Sequence, residues 1–131
     1  MTNVYIDSNV IVASEIRAEA HHKKSKEFMN YVIKRKRDSI CFFTSVFTFL
    51  ELASAIVRRK KNKDKAYSLI YKIKNTWKDT INPLAPISPS KLTSFTRFVD
   101  ILIETSLRFN TPSGDTIHAH TIAENKIDYL V

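Results

Sequence analysis

Short β-favouring apolar runs recur along this chain with long helical patterns between them. That alternation restricts the fold more than any other feature. Val4-Tyr5-Ile6, Ile40-Cys41-Phe42-Phe43 and Ile127-Asp128-Tyr129-Leu130-Val131 are rich in β-branched and aromatic residues and too short for helices. A weaker stretch, Asn82 to Ser88, carries Pro83 and Pro86 and reads as an edge strand or extended connector. Between these runs the spacing predicts helices over 10–17, 20–36, 46–60, 64–79, 88–108 and 115–125. Strands alternating with helices imply a three-layer α/β/α domain around a central, mainly parallel sheet of four strands. Right-handed crossovers gather the strand exits along one edge, where open α/β sheets place their ligands.

Three acids stand at positions this topology makes interesting. Asp7 leaves the first strand within Asp7-Ser8-Asn9, just before a second apolar run. It is either a helix cap or a site carboxylate. Glu51 lies two turns into the helix after the second strand, on a narrow polar stripe formed by Thr44, Thr48, Glu51, Ser54 and Arg58. A carboxylate set into a mostly apolar helix needs a partner, which is either a Lys or Arg or a bound cation. Asp115 opens the helix after the turn Asn110 to Gly114, again as a cap or a ligand. His118 and His120 are two apart, point to different sides of that helix and do not form a metal pair; each reads as a packed or surface His. On the 88–108 helix, Phe95, Phe98, Val99, Leu102, Ile103 and Leu107 mark the expected buried face.

Charge and composition limit the partners. The 131 residues carry 21 Lys and Arg against 13 acids, a net charge of +8, which favours a polyanion such as nucleic acid. Lys34-Arg35-Lys36-Arg37 and Arg58-Arg59-Lys60-Lys61 are basic helix ends that suit either the helix dipole or a phosphate backbone. Gly114 is the only glycine, so no glycine-rich phosphate loop exists here. The single Cys41 excludes an internal disulfide and favours a reducing interior. No apolar run nears the ~18 residues that span a bilayer, so the expectation is a cytoplasmic protein without a membrane partner. Aromatic residues on the 64–79 helix, including Tyr67, Tyr71 and Trp77, suit a core or a dimer interface better than base stacking.

If the three acids converge, their mutual repulsion calls for a cation, and oxygen-only ligands favour Mg²⁺ or Mn²⁺. Here the motifs become specific. Tyr5-Ile6-Asp7-Ser8-Asn9-Val10-Ile11-Val12 resembles the opening block of PIN-domain ribonucleases, especially VapC-type toxins of toxin–antitoxin pairs. Thr44-Ser45-Val46 through Glu51-Leu52-Ala53 and Arg58-Arg59 resembles their second block, and Gly114-Asp115-Thr116-Ile117-His118-Ala119 their third. The resemblance implies one PIN-like domain over residues 1–131 and metal-dependent cleavage of single-stranded or structured RNA. It implies Asp7, Glu51 and Asp115 as catalytic metal ligands, with Ser8, Asn9 and Thr44 in support. Arg58, Arg59 and Lys60 become RNA contacts, and the partners become an antitoxin and a second copy of the chain. Family members carry a further Asp after the last strand seen here, and a fifth strand. This chain reaches Val131 short of both, which suggests a C-terminally truncated domain. The alternative is a catalytically inactive PIN-like module that binds RNA or protein.

Overall fold

The computed structural model describes residues 1–34, 39–59, 62–77, 79–84 and 95–131. Strands and helices come in the order β1 (Thr2–Tyr5), α1 (Ser8–Glu15), α2 (His22–Lys34), β2 (Ile40–Ser45), α3 (Val46–Arg59) and α4 (Lys63–Trp77). Then follow β3 (Asn82–Leu84), α5 (Phe95–Phe109), α6 (Ser113–Glu124) and the two-residue β4 (Tyr129–Leu130). The strands lie in the order β3-β2-β1-β4, and every described pairing is parallel. Thr2 pairs with Ile40, Val4 with Tyr129 and Phe43 with Asn82. All strand exits therefore lie along one edge of the sheet.

β1 sits between β2 and β4, and its alternation explains much of the rest. Val4 and Ile6 join an apolar core with Ile11, Met29, Val32, Phe42, Leu52, Ile56, Ile73, Trp77 and Ile81. Tyr5, between them, is fully buried elsewhere. Past the last residue of β1, the Asp7 N–H donates to the Val131 carbonyl at 2.8 Å, and the Val131 N–H donates to Tyr5 O at 2.9 Å. The Asp128 carboxylate accepts from the Asn3 N–H at 2.8 Å and so aligns β4 on β1.

Local sequence accounts for the helix starts. Asp7 is the N-cap of α1: its carboxylate accepts the Asn9 N–H at 3.0 Å, so the helix begins two residues earlier than its apolar run suggests. The Ser45 hydroxyl accepts the Phe47 N–H at 3.0 Å and caps α3 in the same way. The helix expected over 88–108 is seen as α5 from Phe95; residues 85–94 lie outside the described ones, as do Arg35, Lys36, Arg37 and Lys60.

One expected face is corrected, and another is divided. On α5, Ile103 and Leu107 are exposed, Leu107 at 78%, while Phe98, Val99 and Leu102 are half-buried. The amphipathic pattern of α5 is strong, but this helix packs mainly against α6, which covers only part of its apolar stripe. On α4, Ile73 and Trp77 are buried whereas Tyr67 and Tyr71 face outward, stacked at 4.6 Å with their hydroxyls 3.1 Å apart. That hydrogen bond holds the Tyr67 phenol above its ordinary value.

Ile56 has no solvent exposure. Ile56→Ala lowers stability by about 2–5 kcal/mol in urea unfolding, whereas Leu107→Ala changes it by no more than about 0.5 kcal/mol. Equal losses at the two positions would overturn this assignment of the core.

Candidate active site

The exit of β2 and the start of α3 build the floor of the site. The Thr44 hydroxyl donates to the Ile6 carbonyl at 2.9 Å and lies 2.7 Å from the Thr48 hydroxyl; both threonines are fully buried. Thr44 thus ties the exit of β2 to that of β1. The polar stripe expected on α3 is real: it begins with these two threonines inside and reaches solvent at Ser54 and Arg58.

Glu51 stands where this stripe meets α6. Its partner is neither Lys nor Arg. His118 Nε2 lies 2.6 Å from Glu51 Oε2, and His118 Nδ1 lies 2.5 Å from the Tyr5 hydroxyl. The hydroxyl also accepts the Ser45 N–H at 3.0 Å. The imidazole bridges the two: with a ring hydrogen on Nε2 it donates to the Glu51 carboxylate, and its Nδ1 meets the Tyr5 hydroxyl. Phe47 and Tyr5 set their rings against His118 at 6.2 and 5.8 Å between centroids, which fixes the plane of the imidazole. Burial pushes the Tyr5 phenol above its ordinary value, against the lowering effect of its hydrogen bonds.

Gly114 brings the start of α6 onto Glu51. A Cβ at this position would stand 2.9 Å from Glu51 Oε1. Asp115 follows in the first turn of α6, exposed, where the helix dipole favours a carboxylate; the N-cap itself is Pro112 and makes no side-chain cap. A cleft of about 910 Å³ opens here, lined among others by Ser8 and Asn9 of α1, Lys24 of α2, Glu51 and Arg58 of α3, and Gly114. Residues from all three sequence blocks therefore line one cleft, but of the three acids only Glu51 does so; Asp7 and Asp115 are next in sequence to lining residues Ser8 and Gly114. Arg59 also lines it but is paired with Glu19 and bonded to the Ala55 carbonyl at 3.2 Å, whereas Arg58 is exposed. Ser8 is buried beside Asp7; among the described residues the bond to the Asp7 carboxylate comes from the Asn9 backbone and not from the Ser8 hydroxyl.

Among the described residues, no three His, Cys, Asp or Glu side chains are gathered into a metal cage. Asp7 and Glu51 each use one carboxylate oxygen, and both retain a second without a partner among these residues; Asp115 retains both. Hard oxygen donors of this kind suit Mg²⁺, which keeps several waters and binds through one or two carboxylates together with substrate phosphate.

His118 and Tyr5 are the residues that sequence reasoning missed. The missed signal is the three-residue spacing from Asp115 to His118, which stacks them on one side of α6.

A structural comparison finds the sarcin-ricin loop cleaving toxin VapC20 of Mycobacterium tuberculosis. The two share 13% sequence identity at a TM-score of 0.67, over 97% of this chain and 86% of the toxin. The chain has the fold of a VapC toxin. The α/β architecture expected from the resemblance to PIN domains is thus the one found. No family model matches the sequence, and no curated protein does so either. Among the described residues, no helix is long and apolar enough to cross a membrane.

Two outcomes follow from the Tyr5–His118–Glu51 chain. Tyr5→Phe and His118→Ala each cost about 1–3 kcal/mol by leaving a buried partner unmet, and the double variant loses less than the sum by at least about 0.5 kcal/mol. Strict additivity in denaturant unfolding would contradict the network. The raised phenol also sets a pH dependence. Its stabilising contribution is whole below about pH 10 and is lost as pH rises through the higher folded value, since the unfolded chain releases this proton first. Alkaline unfolding should therefore be less steep with pH in Tyr5→Phe than in the parent.

Proposed function

We propose that this protein is a metal-dependent endoribonuclease of the VapC type, the toxin of a type II toxin–antitoxin pair. The observation that carries the reading is the meeting of the three sequence blocks in one cleft: α1 after Asp7, Glu51 on α3, and Gly114 beside Asp115 on α6. The likeness in fold to a toxin that cleaves the sarcin-ricin loop supports it. So does the net charge of +8, which favours an RNA backbone as partner.

In this reading Asp7, Glu51 and Asp115 hold Mg²⁺ or Mn²⁺. The bound ion would supply an activated water and neutralise charge at the scissile phosphate. The chain's own residues do the positioning. His118 fixes which way the Glu51 carboxylate faces, and Asn9 does so for Asp7 through its backbone N–H. Lys24 of α2 and Arg58 of α3, both lining the cleft, attract the phosphate backbone without reading sequence. Lys60, next to Arg59 in sequence, belongs to the same proposed contact. A cognate antitoxin and a homodimer come from the resemblance alone; action in the cytoplasm rests on the sequence composition, with its single Cys41. α4, with exposed Tyr67 and Tyr71, is the candidate dimer surface. The four strands and 131 residues would form a single PIN-like domain.

The test is cleavage of single-stranded RNA with Mg²⁺ or Mn²⁺. Asp7→Asn and Asp115→Asn should each lower the rate at least ~100-fold, with folding retained. Unchanged cleavage in both would reject the site. RNA binding without cleavage or metal dependence would instead favour a non-catalytic binding module. Gly114→Ala is a sharper probe of geometry: its methyl group displaces Glu51 while improving helix propensity by up to about 1 kcal/mol. The rate should fall while the far-ultraviolet circular dichroism stays that of the parent.

A further inference from the structure

A cleft that holds RNA gains nothing from spare carboxylates, since each one repels phosphate. Two acids nevertheless line this cleft: Glu51, at the proposed centre, and Glu19, in the turn between α1 and α2. Glu19 is ion-paired with Arg59, the last residue of α3, whose Nη1 also donates to the Ala55 carbonyl at 3.2 Å. Lys24 and Arg58 line the same cleft and have no ion pair among the described residues. Of the Lys and Arg side chains in the cleft, then, Arg59 is the one that a carboxylate covers.

The turn does not need this pair to hold its shape. The Glu19 N–H donates to the Ile16 carbonyl at 3.1 Å, and the Glu19 carbonyl accepts the His22 N–H at 3.0 Å. His22 Nδ1 lies 2.8 Å from the Ala13 carbonyl. These bonds close the turn and fasten it to α1 without the Glu19 side chain. Nor is the pair strong. The side chains of Arg59 and Glu19 are 39% and 29% exposed, and ion pairs this open to water contribute little. A phosphodiester is a ready replacement, because the planar guanidinium fork matches phosphate as well as it matches a carboxylate.

Given the proposed reading of the cleft as an RNA site, we infer that Arg59 is a backbone-phosphate subsite and that the Glu19 carboxylate occupies it until RNA arrives. Arg59 lies about two turns beyond Glu51 on α3, roughly 12 Å along the axis, so the phosphate it takes flanks the one that is cut. Binding exchanges one ion pair for another: Arg59 turns from Glu19 to the phosphate, and Glu19 is released to solvent. Glu19 thereby sets a threshold, lowering affinity for any RNA held too weakly elsewhere in the cleft to displace it.

The test is the binding of a short fluorescein-labelled single-stranded RNA, followed by anisotropy with divalent ions chelated, so that binding is read apart from cleavage. Glu19→Gln should tighten binding about three- to fivefold, the scale of an exposed ion pair. It should also steepen the fall of log K with log salt by about 0.7, since one more phosphate is neutralised with no carboxylate set free. Arg59→Gln should weaken binding, and in that background Glu19→Gln should gain no more than about twofold. Equal gains with and without Arg59 would mean that Glu19 only repels RNA, and would overturn the exchange. Weaker binding by Glu19→Gln would overturn it too, by making the pair a structural tether. A parent that binds RNA with an affinity Glu19→Gln leaves unchanged rejects the exchange alone. Failure of the parent and every variant to bind rejects the RNA reading beneath it.

Discussion

An imidazole buried between a phenol and a carboxylate holds the candidate site together. His118 has one side on Tyr5, in the middle strand pair of the sheet, and the other on Glu51, midway along α3. Three distant parts of the chain are thereby joined through two hydrogen bonds in a setting with little water. Such a chain of bonds is costly when any member is missing, because each remaining polar atom stays buried. The arrangement also explains why Glu51 tolerates a largely apolar helix: one carboxylate oxygen is bonded to the His118 ring, and the side chain stays part-exposed in the cleft.

The sheet edge supplies the other half of the site. β1 ends at Tyr5, and within two residues the chain has turned into α1 with Asp7 as its cap. Thr44 ties the neighbouring strand exit to Ile6, and Val131 ties the last strand to Asp7. Capping does not use up Asp7: one carboxylate oxygen starts the helix, and the other has no partner among the described residues. The same economy holds at Gly114, where the lack of a side chain lets α6 begin against Glu51.

Much of this was legible in the residues. The β-branched runs at Val4 and Ile40 located the central strands, because such runs fit a pleated, buried surface and little else. The three motif blocks named Asp7, Glu51 and Asp115, and the narrow polar stripe on α3 singled out Glu51 unaided. What the residues concealed was the identity of partners. Periodicity tells which face of a helix is polar but not what sits opposite, so it leaves Glu51 with a Lys, an Arg or a bound cation as partner and gives His118 a packed or surface place without linking the two. The outward positions of Ile103 and Leu107 were concealed for the same reason: an apolar stripe records how much a helix can bury, not how much its neighbours cover. Trp77 was correctly expected to pack, yet nothing local to it reveals that its N–H is left unmet.

The central claim is that three acids far apart in sequence serve one cleft. Paramagnetic line broadening by Mn²⁺ in amide NMR spectra tests it directly. The account predicts that Asp7, Asn9, Glu51, Gly114 and Asp115 broaden together at low Mn²⁺, while residues in the middle of α4 stay sharp. Broadening at only one of the three acids, or none above background, would contradict it.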